Sequence, residues 1–166
     1  MSGRDIATAI INRSIDYKNM TSNEKYYSNF YSVNKLMYFA YCEYLKQKES
    51  SLIRESEKII ADSSGPFFES TLFIFKDYNF DDVKEKINHE FLLPKSQEYL
   101  LPQSIKELID KIVKEYGSLR NQQIGILAKK DEAYLEACGN KDKIITNEII
   151  MKYIYKEQEK IKSKKI

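Results

Sequence analysis

"SVNKLMYFAYCEYLKQ", residues 32–47, decides the fold class of this chain. Val33, Leu36, Met37, Ala40, Tyr41, Tyr44 and Leu45 recur at spacings of three and four, the repeat that gathers side chains on one face of an α-helix. Tyr38 and Phe39 widen the stripe, and Ser32 stands where a side-chain oxygen can cap the first turn. A helix with so wide an apolar surface belongs in the middle of a core. The expectation is therefore a mainly α-helical, compact multi-helix domain with this segment near its centre.

Working outward toward the start, Ile6, Ile10, Ile11 and Tyr17 predict a first helix over residues 5–18. The stretch that follows, residues 19–32, is polar and aromatic without a helical period. Toward the end, Leu52, Ile53, Ile59 and Ile60 predict a helix stopped by Ser63-Ser64-Gly65-Pro66. "FFESTLFIFKDY", residues 67–78, is dense in aromatic and β-branched residues and reads as a strand, so a small β element is expected near residues 67–76. A lone strand is unstable, and "KIIT" at 143–146 is the candidate partner.

Helical patterns then resume. Asn79 or Asp81 can cap a helix carrying Val83, Ile87 and Phe91, and "SIKELIDKIVKEYG", residues 104–117, offers a capping box from Ser104 to Glu107 and a left-handed stop at Gly117. Ser118 is placed to cap a short helix, and Asp131 a second one closed by Gly139. Thr146 or Asn147 starts the last, with Ile149, Ile150, Tyr153 and Ile154 turned inward. This crowding of turns between residues 114 and 139 reads as a packing scaffold rather than a catalytic loop. One domain over 1–155 is expected, followed by a basic tail over 156–166 that frays.

Composition narrows the function. A chain of 166 residues, 42% hydrophobic and 31% charged, can bury one core without disulfides or metals, which makes Cys42 and Cys138 reduced thiols inside helices. A net charge of +2 is too small to favour a nucleic-acid partner. No apolar run reaches membrane-spanning length and the opening residues carry no secretory pattern, so a cytoplasmic protein is expected.

Candidate chemistry is sparse. His89, the single histidine, lies between Ile87 and Phe91 without the spacing of a metal site. Asp77, Asp81 and Asp82 could hold a cation, but carboxylates in a first helical turn favour the helix dipole without one. No phosphate loop, zinc-protease element or nucleophile elbow is present, so neither a cofactor nor an enzyme is expected. Lys156, Lys160, Lys162, Lys164 and Lys165 form a lysine run of the kind that is usually solvated. The most unusual surface candidate is aromatic: Tyr26, Tyr27, Phe30 and Tyr31, joined by Phe75, Lys76, Asp77 and Tyr78, as a protein-binding patch. The same rings could instead fold back over the core.

In order and spacing these segments resemble the Panacea domain, the SocA-like antitoxin family that includes phage-associated GepA-type proteins. "VNKLMYFAYCEYL", residues 33–45, is similar to the family's Leu-x-Lys-Leu-Leu-Tyr-Tyr/Phe-Ala helix and its following Tyr-Leu. "VKEYGSLRNQQIGILAKKDEAYLEACGNKDKIITNEII", residues 113–150, resembles its later helices, with Tyr134 where tryptophan is usual. "FFESTLFIFKDYNFDDVKEKI", residues 67–87, is looser: Asn79 to Asp82 replace Gly-Pro-Val, and farther on Ala128-Lys129-Lys130 replace Thr-His.

The resemblance implies an antitoxin that neutralises a toxin by direct binding, in one form by adapting it to a protease. Its departures keep open a phage or prophage inhibitor of a host defence system on the same fold. The reading from another class is an enzyme or nucleic-acid binder that uses Asp77, Asp81, Asp82 and His89.

Overall fold

The computed structural model describes residues 1–26, 28–72 and 100–165. Among them are six α-helices and one hairpin: α1 (Gly3–Thr21), α2 (Phe30–Lys48), β1 (Ile59–Asp62), β2 (Gly65–Phe68), α3 (Gln103–Tyr116), α4 (Asn121–Lys129), α5 (Glu132–Cys138) and α6 (Asn147–Lys164). The mainly helical class and the small β element are as the sequence indicates.

Helix α2 is the axle. It packs against α1, α3, α4, α6 and β2, and Val33, Leu36, Met37, Tyr38, Ala40, Tyr41 and Leu45 are all buried. Its cap differs from the expected one. Asn29 is the N-cap, its Oδ1 accepting the Ser32 N–H at 2.8 Å, while the Ser32 hydroxyl returns to accept the Asn29 N–H at 3.1 Å. Ser32 is thus the third residue of the helix and the other half of a capping box. Helix α1 carries the same device between Ser2 and Asp5, and Arg13 and Tyr17 fasten it to Asp110 of α3 at 2.6 Å and 3.0 Å.

The helix predicted over Leu52–Ile60 does not form. Residues 52–58 run as a loop whose polar groups serve the start of α1: Glu57 accepts the Gly3 N–H at 2.9 Å, and the Arg54 N–H reaches the Met1 carbonyl at 3.0 Å. A carboxylate at a helix N-terminus satisfies donors that have no partner within the helix. Ile59 and Ile60 go into β1, pairing Ile59 with Phe68 and Ile60 with Phe67 in an antiparallel register. Ser63-Ser64 is the hairpin turn, held by Asp62 accepting from the Ser64 N–H (3.1 Å) and hydroxyl (2.6 Å), and Gly65 supplies the positive φ of 114° that lets the strands rejoin.

Strand β2 starts two residues earlier than predicted and stops at Phe68, where a single 3-10 turn, Glu69–Thr71, takes over. The cause is Asn34 of α2. Its Oδ1 accepts the Phe68 N–H at 2.8 Å and the Thr71 hydroxyl at 3.1 Å, standing in for the strand that would otherwise pair there. "KIIT" does reach the hairpin, but on the other edge: Ile60 bridges Ile144, with the Ala61 N–H on Lys143 O and the Ile145 N–H on Ile59 O, both at 2.8 Å.

Three later boundaries also move. Helix α3 begins at Gln103 because the Pro102 carbonyl takes the first helical N–H groups, from Ile105 (3.0 Å) and Lys106 (3.1 Å), leaving Ser104 inside the helix with no capping role. Gly117 closes α3 in a right-handed conformation, not a left-handed one, and a β-carbon there would lie 2.4 Å from Val113 O. Helix α4 starts after Arg120, not Ser118, with Gln123 Oε1 accepting the Arg120 N–H at 3.1 Å. Asp131, Gly139 and Thr146 do cap as expected. Instead of fraying after residue 155, α6 runs to Lys164; its Lys, Glu and Gln residues are strong helix formers uninterrupted by Gly or Pro.

Candidate functional site

The aromatic segment that looked like a docking surface is turned partly inward. Tyr26 stacks on Tyr17 of α1 with ring centroids 5.3 Å apart, and Phe30 tilts against Phe67 of β2 at 6.4 Å. The Tyr31 ring lies over the Lys35 ammonium at 4.2 Å, while its hydroxyl sits against Gly125, where a β-carbon would come within 2.0 Å of it. All three rings are half-buried. Tyr27, Phe75, Lys76, Asp77 and Tyr78 lie outside the described residues, as do Asp81, Asp82 and His89.

Beside Tyr31 is a group that periodicity gave no role. Lys35 is 1% exposed, and its ammonium donates to Pro66 O at 3.1 Å. Burial lowers its pKa from 10.5 to about 8, with Asp62 pulling it back up and Lys129 pushing it further down. Gly65 makes room for it, since a β-carbon there would lie 2.7 Å from Lys35 Cε. Next to it, the Tyr134 hydroxyl donates to Asp62 O at 2.6 Å, joining α5 to β1. The cluster locks the hairpin onto α2.

The concave surface is elsewhere. Helices α3 and α6 both pack on α2, and between them runs a cleft of about 720 Å³. Its apolar surface combines Phe39 and Cys42 of α2, Ile112 and Tyr116 of α3, and Ile150 and Ile154 of α6. Phe39 and Tyr116 meet with centroids 4.8 Å apart, bracing α2 against α3. The first turn of α5 lines it too: Asp131 Oδ2 accepts the Tyr38 hydroxyl at 2.5 Å and caps α5 through the Tyr134 N–H at 3.0 Å. Burial pushes the Cys42 thiol far up, Asp131 adding to it, so the sulfur is a protonated wall rather than a nucleophile.

The rim is charged. Lys111 pairs with Glu43 at 3.3 Å, whereas Lys46, Lys130, Lys156, Lys160 and Lys164 have no ion-pair partner among the described residues. Sequence reading missed this cleft because its walls come from residues about 100 positions apart, and a helix pattern says which residues turn inward but not which neighbours stop short of touching. The signal that could have found it is in α6: Ile150, Ile154 and Ile161 carry apolar side chains into its lysine-rich end.

No helix of the described residues is long and apolar enough to cross a membrane, and among those residues no three His, Cys, Asp or Glu side chains gather as a metal site. Residues 33–134, 102 of the 166, match the family described as "Antitoxin SocA-like, Panacea domain". That span runs from α2 to the middle of α5. No curated protein and no solved structure matches the chain.

Proposed function

The chain belongs to the SocA-like Panacea antitoxin family, and from that premise we propose that it neutralises a toxin by binding it directly and covering it, without turning over a substrate. The observation that carries the proposal is the family match over the helical core. The cleft supports it: a concave surface with aromatic and aliphatic walls and a charged rim has the anatomy of a protein-docking site. Half-buried Cys42 lines that cleft, and its surroundings raise the thiol pKa, which works against the thiolate that covalent chemistry would need.

The partner is a protein, met in the cytoplasm where its toxicity is exerted. Delivery of the bound toxin to a protease would add a second docking event to the same complex. Co-expression with the adjacent reading frame tests the proposal. That frame alone should arrest growth, and this chain should restore it. A frame that is harmless alone, or an arrest that this chain does not relieve, overturns the antitoxin reading.

A further inference from the structure

Helix α6 changes character halfway along. Its first half is anchored, with Ile150 buried and Ile154 half-buried against the body of the protein. From Tyr155 onward almost every residue is exposed, and Ile161 is 48% exposed although it continues the stripe of Ile150 and Ile154 along the cleft. Helices take most of their stability from packing an apolar face, and among the described residues little covers Ile161 on the last three turns of α6. Lys156, Lys160 and Lys164 follow one another at four-residue spacing along the same stretch, and Lys46 of α2 and Lys130 before α5 add to the rim. Against these five lysines, none in an ion pair among the described residues, the cleft sets four carboxylates likewise outside an ion pair: Glu115, Asp131, Glu132 and Glu157.

We propose that the cleft between α3 and α6 receives an acidic amphipathic helix of the partner protein, whose apolar face lies on Phe39, Tyr116, Ile154 and Ile161 and whose carboxylates meet the lysine edge of α6. This rests on the protein-binding reading above and specifies its partner. From Ile150 to Lys164 the wall is about 21 Å long at the rise of an α-helix, which matches a partner segment of roughly four turns. A second copy of this chain fits poorly, because a symmetric contact at α6 would set lysine row against lysine row. The glutamates in the cleft and its apolar floor disfavour a phosphate backbone, which wants an uninterrupted basic face. Helix α6 lies beyond residues 33–134, which the family match covers.

The probes are three synthetic peptides of about 18 residues: an amphipathic helix with leucines at three-four spacing and glutamates on its flanks, the same composition shuffled to destroy the apolar face, and the amphipathic helix with lysine for glutamate. Fluorescence anisotropy with the full chain should show binding of the first alone. Ile161→Glu and the pair Lys156→Glu with Lys160→Glu should each weaken it by about tenfold or more. Both sites are exposed, so an unchanged circular dichroism melt accompanies the loss. Equal binding of the shuffled or the lysine peptide overturns the proposal, as does displacement of the acidic peptide by a single-stranded oligonucleotide at physiological salt. The two readings separate in the co-expression assay: full growth rescue by Ile161→Glu sinks the cleft and spares the antitoxin, whereas peptide binding without rescue by the natural chain does the reverse.

Discussion

Lys35 is where this fold spends stability on a charge. At neutral pH its ammonium is held inside by one carbonyl, one aromatic face and the nearby Asp62 carboxylate. Since burial brings its pKa from 10.5 to about 8, the folded state binds this proton less tightly than the unfolded chain does. The stability associated with the neutral amine is complete above pH 10.5, declines as pH falls toward 8, and is absent below, a span worth roughly 3 kcal/mol. Lys35→Met should therefore raise stability at pH 7 and flatten the rise between pH 8 and 10.5, as read by urea unfolding at several pH values. Parallel curves for the two proteins would place the amine in water. Tyr31 is committed to the same cluster. Tyr31→Ala is expected to lose about 2 kcal/mol of stability through the packing it removes, and an unchanged melting curve would return Tyr31 to the surface as a binding residue.

At the scale of elements, the hydroxyl of Tyr38 and the cap of α5 meet on one carboxylate. Asp131→Ala removes a helix cap and leaves the buried Tyr38 hydroxyl without its acceptor, a loss of about 2 kcal/mol or more, while Asp131→Asn keeps a capping oxygen and should lose less than about 1 kcal/mol. Thermal melts of the two variants check this, and equal losses would mean that the charge, not the cap, matters. The elements were legible from sequence to different depths for physical reasons. Helix α2 could be read because its period is long and its apolar face wide, and Asp131 and Thr146 because a local side chain closes a local turn. The sequence points to a helix over Leu52–Ile60 and a strand from Phe67, not to a hairpin, because what ends β2 is Asn34, 34 residues away in sequence, and what uses the polar groups of residues 52–58 is the start of α1. No local pattern contains those partners.

For the whole molecule, residues 33–45 and 113–150 carried both the helical class and the family resemblance, and the family match bears the latter out over residues 33–134. The site was less legible. Of the rings put forward as a docking patch, Tyr26, Phe30 and Tyr31 pack against Tyr17, Phe67 and Lys35, because an aromatic residue without helical period can face either way and only its neighbours decide. The cleft arises from where α3 and α6 end up on α2, which is a property of the assembled chain.

The central claim is neutralisation by covering, and a titration tests it most directly. A fixed amount of purified toxin, the product of the adjacent reading frame, is mixed with increasing amounts of this chain, and the remaining toxin activity is measured at two incubation times. Direct occlusion predicts a linear fall to an end point at a fixed ratio of the two proteins, the same at both times. A fall that continues with time when the chain is scarce, so that one molecule inactivates many, would show turnover and contradict the account.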